Sequence, residues 1–226
     1  MADRSTDPGS TAARSSDDGS SAPPAPFAAW DRREFPGLFT VVETARRVGH
    51  YKWIEMKLFE VMGAWLAAVP EFEVKYRLGL HCYQHAFHAE LWAKLLPELR
   101  EMNPQRLTAP PNSELVDFVE SLTNASEPEQ TIEKLVGLYR VLLPQIIATY
   151  TYHLNNAATV SDAPTVRALE LCLRDDIEQW REGEILLLSL LDTPGAIDRA
   201  AECQRDLSGR LLTAGGIAGP RSAGMW

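Results

Sequence analysis

The sequence predicts an all-α protein with one globular domain, and three observations lead to this prediction. Apolar side chains recur every three or four residues over four long stretches, which is the period of an amphipathic helix. Alternation of apolar and polar residues typical of strands does not extend over any useful length of the sequence. A chain of 226 residues with 45% apolar content is long enough for one sizeable core with tails.

The two ends of the sequence are predicted to lie outside the domain. Residues 1–28 are rich in Ser, Ala, Pro, Asp and Gly, so they have too little apolar surface to offset the entropy of ordering, and we expect a disordered arm. Residues 213–226 hold four glycines and one proline and are expected to form a flexible tail. The globular domain is therefore placed at 29–212.

The first two helices are predicted to form an antiparallel pair. The first covers about 44–69 and stops at Pro70, where the chain cannot continue a helix without strain. The second covers about 71–100. A hinge this short makes the two helices antiparallel neighbours.

A polar crossover with several prolines follows, over about 102–128, and one short helix is expected within it near 114–122. The third helix is predicted over about 131–157, with a kink at Pro144. The fourth runs from an N-cap at Asp162 to about 191. A further short helix over about 197–212 is expected to pack outside the others.

Charge and cysteine usage narrow the classes of partner and compartment. The formal net charge of −9 argues against a nucleic-acid-binding surface, because phosphate contacts need clustered Lys and Arg. Stretches of about 18 uncharged apolar residues, the length of a membrane-spanning helix, are absent from the sequence. Three widely separated cysteines without C-x-x-C spacing suit a reducing compartment, so we expect a cytoplasmic protein.

The most informative motif is a stripe of three histidines on the second helix. His81, His85 and His88 recur at i, i+4 and i+7, which places them on one otherwise apolar face. Imidazole is the commonest metal ligand and titrates near neutral pH. Three of the five histidines on one inward stripe therefore indicate a polar site inside the helices.

Helical wheels at about 100° per residue identify further polar groups on inward faces. These groups are Glu55 on the first helix, Tyr150 and His153 on the third, and Asp176 with Gln179 at its margin on the fourth. The same wheels direct Asp175 and Glu182 to solvent. Burial of unpaired ionisable groups costs several kcal/mol, so these groups should either pair, share a metal ion, or form a satisfied hydrogen-bond network.

The order of these groups along the chain resembles the ferritin-like superfamily of carboxylate-bridged di-iron proteins. The carboxylate of the first helix corresponds to Glu55 and the ligand pair of the second to His85-x-x-His88. After a long crossover, the third helix offers the region from Tyr150 to His153, and the second pair, on the fourth helix, corresponds to Asp176-x-x-Gln179. Two stretches, HCYQHAFHAELWAKLLPELR and DAPTVRALELCLRDDIEQW, are similar to bacterial proteins of this superfamily. The resemblance covers about 44–192 and implies a four-helix bundle with a long crossover between helices 2 and 3.

The ligand set departs from the family pattern, because only Glu55 and His88 match it in residue type. A single metal ion is easier to support than a di-iron pair with so few carboxylates. We expect the metal ligands among Glu55, His81, His85, His88 and Asp176, and the catalytic groups among Glu55, His85, Asp176, Tyr150 and His153. Iron with open coordination positions would oxidise a small organic substrate, such as an intermediate of bacterial secondary metabolism; zinc, manganese or no metal are the alternatives.

Two other functions are compatible with the same residues. A metal-free ferritin-like enzyme could use His, Asp and Glu as general acid and base in a cyclisation, isomerisation or elimination. A non-catalytic bundle could bind a ligand or partner. Trp30, Trp53 and Trp65 are candidates for the contact of a homodimer.

Overall fold

The computed structural model describes residues 39–97, 102–125, 127–158 and 160–219, and over these residues the chain is all-α, as predicted. The predicted arm over 1–28 lies outside the described residues. The α-helices are α1 Val41–Ala68, α2 Phe72–Leu95, α3 Pro104–Leu107, α4 Ser113–Thr123, α5 Thr131–Leu135, α6 Leu143–Asn156, α7 Ala163–Leu190 and α8 Pro194–Thr213. A 3-10 turn at Pro128–Gln130 precedes α5, and a π-helical segment at Val136–Leu142 joins α5 to α6.

Side-chain caps and prolines fix the ends of the long helices. The Thr40 hydroxyl accepts a hydrogen bond from the backbone N–H of Glu43 at the start of α1, and Thr193 caps α8 in the same way. Asp162 occupies the N-cap position of α7, but its carboxylate accepts from the backbone N–H of Ala158 instead of capping the helix. None of the helices in the described ranges has the length and apolarity needed to cross a bilayer.

Helices α1, α2, α6 and α7 carry the buried polar side chains of the site. The antiparallel helices α1 and α2 pack along their length, α7 packs against α2 and α6, and the π-helical segment packs against α7 and α8. The apolar core includes Ile54, Met62, Leu78, Trp92 and Leu169, all fully buried. The buried polar side chains of the site therefore lie within this helical core.

The third predicted helix is continuous but changes its winding. The π-helical segment ends one residue before α6, where the Leu143 N–H bonds to the Leu138 carbonyl, five residues back. Pro144 follows directly and cannot donate a hydrogen bond to the preceding turn. A widened turn before the proline is a common way for a helix to absorb this loss.

The region after α8 is more ordered than its glycine content indicates. Ala214 and Ile217 are fully buried, and the Ala214 carbonyl accepts a hydrogen bond from the Asn112 side chain. Gly215, Gly216 and Gly219 have positive φ values, which glycine adopts without strain. The predicted tail over 213–226 thus begins with a docked segment, while residues 220–226 lie outside the described residues.

A glycine allows α7 to approach the π-helical segment closely. A Cβ atom at Gly183 would lie 2.2 Å from the ring of Tyr139, which is fully buried and hydrogen-bonded. A shift of the ring would disturb its hydrogen bond with His81. Gly183 therefore sets the distance between α7 and the third helical rod, which consists of α5, the π-helical segment and α6.

We predict that Gly183→Ala lowers the free energy of unfolding by about 1 to 3 kcal/mol, because overpacking outweighs the better helix propensity of alanine. Gly209→Ala is the matched control: this glycine is exposed in α8 with no atom within 4 Å of the added Cβ, and its replacement should stabilise by about 0.5 to 1 kcal/mol. Urea unfolding of both variants measures the difference. Equal stability of the two variants would contradict the close approach of α7.

Candidate metal centre

The centre of the site is Glu55, a carboxylate that α1 holds with 0% exposure. Its Oε2 lies 2.5 Å from His85 Nδ1 on α2, and its Oε1 accepts a 2.6 Å hydrogen bond from the Tyr150 hydroxyl on α6. A buried carboxylate without partners would cost several kcal/mol. Three helices thus contribute to keeping Glu55 inside the protein.

His88 lies one turn beyond His85 and faces two carboxylates. Its Nδ1 is 3.7 Å from Glu55 Oε1 and 3.7 Å from Asp176 Oδ1, beyond hydrogen-bond distance of both. Its Nε2 is 3.3 Å from Asp175 Oδ2. One ring nitrogen therefore points to the centre of the site, while the other is held from behind by a carboxylate.

Asp176 is the least satisfied group in the site. It is fully buried on α7, and neither carboxylate oxygen has a hydrogen-bond partner among the residues that the structure describes. Gln179, one turn later and also buried, likewise has no partner in these ranges for its side-chain oxygen or nitrogen. Buried polar groups nearly always have partners, so this side of the site is suited to an additional ligand.

Glu55, His85 and His88 form a group of metal-ligand type. Each offers one ligand atom within 4.8 Å of the others, and all three residues are buried. Ligand atoms bound at about 2.0 to 2.2 Å from one ion lie at most about 4.4 Å apart. The spacing of the group is therefore close to the one that a single ion would require.

The protonation states of Glu55 and His88 depend on the contacts between the members of the group. Burial by itself would raise the pKa of Glu55, but His85 and His88 outweigh it and hold that pKa below its usual range. Burial would lower the pKa of His88, but the Cys172 side chain and the carboxylates of Glu55 and Asp176 raise it to about 12. Without a metal ion, His88 is therefore an imidazolium that neutralises Glu55.

Asp176 and Cys172 carry their protons in the same state of the protein. Burial and the neighbouring Glu55 charge raise the pKa of Asp176 well above its usual value. Burial likewise raises the pKa of the Cys172 thiol to about 12. A cation at this place would displace the His88 and Asp176 protons, because metal ligands bind in their deprotonated forms.

His81 lies on the same face of α2 but belongs to a different network. Its Nδ1 is 2.7 Å from the Tyr139 hydroxyl and its Nε2 is 3.0 Å from Glu182 Oε2, and Arg77 donates to the other Glu182 oxygen at 2.8 Å. Burial lowers the pKa of His81 to about 4, so the ring is neutral with both nitrogens bonded. The structure therefore places this predicted metal ligand outside the group of Glu55, His85 and His88.

His153 is also separate from the group. Its Nδ1 lies 3.1 Å from the Tyr51 hydroxyl, and the ring packs edge-on against Phe39. Burial lowers the pKa of His153 to about 4, with a smaller contribution from the positive charge of Arg47. Of the predicted catalytic residues, the structure brings Glu55, His85, Tyr150 and Asp176 together and leaves His153 beside Tyr51.

Two residues with a role in these networks were predicted to face solvent. Asp175 bonds His88 and Glu182 bonds His81, and both side chains are largely shielded. The sequence does contain a signal for them: the two acids are seven residues apart, as are His81 and His88. Antiparallel pairing of α2 and α7 brings equal spacings into register.

Comparison with known proteins gives no further assignment. Neither protein-family models, nor curated proteins, nor solved structures match this chain. The interpretation of the site therefore depends on its own geometry.

We predict unequal effects of removing two buried tyrosine hydroxyls. Tyr150→Phe should lower the free energy of unfolding of the metal-free protein by about 1.5 to 3 kcal/mol, because the lost acceptor is a carboxylate. Tyr51→Phe, equally buried, loses a bond to a neutral imidazole and should cost about 0.5 to 1.5 kcal/mol. Denaturant unfolding compares them, and equal losses would contradict an ionised Glu55.

We also predict that His153 makes the protein sensitive to acid. Its folded pKa of about 4 lies below the ordinary 6.5, so the unfolded chain takes up a proton first as the pH falls. Stability is fully present above pH 6.5 and is lost towards pH 4, by about 2 to 3 kcal/mol from this residue alone.

Unfolding of a His153→Gln variant at several pH values between 7 and 4 tests this assignment. The variant should lose stability less steeply, by close to one proton or about 1.4 kcal/mol per pH unit in the middle of that window. Tyr51→Phe keeps the histidine and should retain the wild-type slope. An unchanged slope for His153→Gln would show that His153 is protonated in the folded protein.

Proposed function

We propose that this chain is a metalloenzyme in which Glu55, His85 and His88 hold one non-haem iron ion, used to oxidise a small organic substrate. Two histidines and one carboxylate form the ligand set of many iron(II) oxygenases. When bound, such an ion would supply dioxygen activation at its open positions. The residues of the chain would hold the ion in position and exclude bulk water.

The observation that carries this proposal is the unsatisfied Asp176 beside a group of three buried ligands. Within the described part of the chain, neither oxygen of Asp176 has a hydrogen-bond partner, and Nδ1 of His88 has none either, although the two residues face each other at 3.7 Å. A cation between these groups and Glu55 would satisfy all of them at once. Burial of so many polar atoms is otherwise costly.

The contacts behind the ligands support the same interpretation. Metal-binding histidines usually donate their second ring N–H to a carboxylate, which fixes the ring orientation. His88 has this arrangement with Asp175. Tyr150 plays a similar part for Glu55, because its hydrogen bond fixes one carboxylate oxygen and leaves lone pairs on both oxygens for other partners.

Asp176 suits a role in moving protons as well as binding. Its raised pKa keeps a proton available in the buried site when no cation is bound. A carboxyl group that can hold or release a proton next to the reacting atoms is typical of general acid and base catalysis. All the side chains of the site are buried, which favours a small substrate entering between the helices.

The arrangement of helices supports a ferritin-like four-helix bundle as the architecture. The pairs α1 with α2 and α6 with α7 are in contact, and α7 also contacts α2. The segment between α2 and the third helical rod contains only the short helices α3 and α4 and one 3-10 turn among its described residues. Its length would suit a crossover that runs along the bundle and brings the chain back to the end at which α2 begins.

A metal-free enzyme is the second candidate, and one observation favours it. Tyr150, Glu55 and His85 form a continuous chain of short hydrogen bonds, a geometry that can pass a proton without a metal ion. Under this alternative, His88 would remain an imidazolium and act as the acid.

Metal analysis separates these candidates. We expect the full-length protein, reconstituted with iron(II) under anaerobic conditions and desalted, to retain about one iron per chain, a stoichiometry that follows from one ligand group. Glu55→Gln should lower the affinity of the protein for iron and cobalt ions by at least about 100-fold. Asp175 only orients His88, so Asp175→Asn should lower the same affinity by about 10- to 100-fold.

Glu178→Gln is the control, because this exposed carboxylate lies on α7 two residues from Asp176. It should bind metal as the wild type does. A wild-type protein that retains no stoichiometric transition metal would exclude the proposal and select the metal-free alternative. Equal loss in Glu178→Gln and Glu55→Gln would show that the metal binds elsewhere.

A further inference from the structure

The outward face of α2 has an unusual composition for a helix exposed to water. Between the charged residues Glu73 and Glu90, its exposed positions are occupied by apolar side chains: Tyr76, Leu80, Tyr83 and Phe87. Spacings of four, three and four residues keep these side chains on one side of the helix. The exposed fraction reaches 54% for Tyr76 and 71% for Tyr83.

The neighbouring helix continues this apolar surface. Met56 and Phe59 of α1 are also half-exposed, and the Cys82 thiol contacts the Phe59 carbonyl, so the two helices meet at this level. We call the surface formed by Met56, Phe59, Tyr76, Leu80, Tyr83 and Phe87 the hairpin face.

The exposed positions of α1 that follow Phe59 are Glu60, which pairs with Lys57, and the small residues Gly63, Ala64 and Ala67. Gly63 faces the Cys82 side chain of α2. The surface of α1 is therefore low beside the aromatic ridge of α2 at Gly63. Ridges that pack into grooves are the usual basis of helix association.

The area of the hairpin face is sufficient for a stable interface. With roughly 200 Å² for the full surface of each large side chain, the exposed fractions of its six residues correspond to roughly 600 Å². Standard protein interfaces bury about 800 Å² on each partner, including polar margins. An exposed apolar patch of this size usually marks an interaction site.

We propose that the hairpin face binds the same face of a second copy of this chain, forming a two-fold symmetric dimer. A two-fold interface brings each surface onto itself, so it needs both a ridge and a groove and an uncharged centre. The hairpin face provides the ridge on α2 and the low surface of α1 beside Gly63, and the exposed positions of α2 from Tyr76 to Phe87 carry no charge. The net charge of −9 disfavours an anionic membrane surface as the occupant.

This inference replaces the tryptophan contact expected from sequence. Trp65 is 1% exposed and cannot contribute to an interface, Trp53 is half-buried, and Trp30 lies outside the described residues. The dimer does not depend on metal binding, since the residues of the hairpin face point away from the buried ligands.

The mass of the full-length protein in solution tests the proposal. We expect sedimentation velocity and light scattering at micromolar concentration to give twice the 25.1 kDa chain mass. Tyr83→Glu and Leu80→Glu should each raise the dimer dissociation constant by at least about 100-fold, because a charge in the centre of the interface loses its water. Both positions are exposed in the monomer, so the variants should keep wild-type helical circular dichroism.

Leu212→Glu is the matched control, because Leu212 is 81% exposed on α8 and lies outside the hairpin face. It should remain dimeric. A wild-type monomer at these concentrations would overturn the proposal, and would direct attention to residues 1–38 or another protein as the cover of this face. A dimer that both Tyr83→Glu and Leu80→Glu leave intact would overturn it equally.

Discussion

The burial of Glu55 is the constraint on which the rest of this structure depends. A carboxylate with no access to water needs compensating partners from several directions, and it obtains them from α2 and α6 through His85 and Tyr150. His88 and Asp176 are the next ionisable groups, with His88 Nδ1 3.7 Å from an oxygen of each of the two carboxyl groups. The helices must remain in register for this compensation to persist, so the chemistry of the site and the packing of the core are one problem.

Close helix packing follows from that constraint. Gly183 lets α7 approach the Tyr139 ring, and Tyr139 in turn bonds His81, which Glu182 and Arg77 connect to the surface. This second network also holds α2 against α7, at a different level from the contact between Asp175 and His88. Two histidine–acid pairs with the same seven-residue spacing thus fix the relative position of the two helices. Asp176 lies between the two acids in sequence, and its oxygens have no hydrogen-bond partner in the described ranges.

Apolar periodicity predicted much of this arrangement, because an inward face is a property of each helix alone. The long helices α1 and α7 begin and end close to their predicted bounds, whereas α2 ends at Leu95 and not at about 100. Glu55, His85, His88 and Asp176 are buried where the wheels place them. A wheel gives direction but not distance along the axis: His81 and His88 are about 10 Å apart on α2, which is why one stripe divides into two networks. The roles of Asp175 and Glu182 depend on contacts between helices, and no single helix pattern contains that information.

The central claim is that Glu55, His85 and His88 bind one metal ion in common. Anomalous diffraction from crystals of the iron-loaded protein, recorded on both sides of the iron absorption edge, tests it most directly. The account predicts one edge-dependent peak per chain, within about 2.0 to 2.3 Å of ligand atoms from all three residues. Two such peaks, or a single peak bonded to His81 or to surface carboxylates instead, would contradict it.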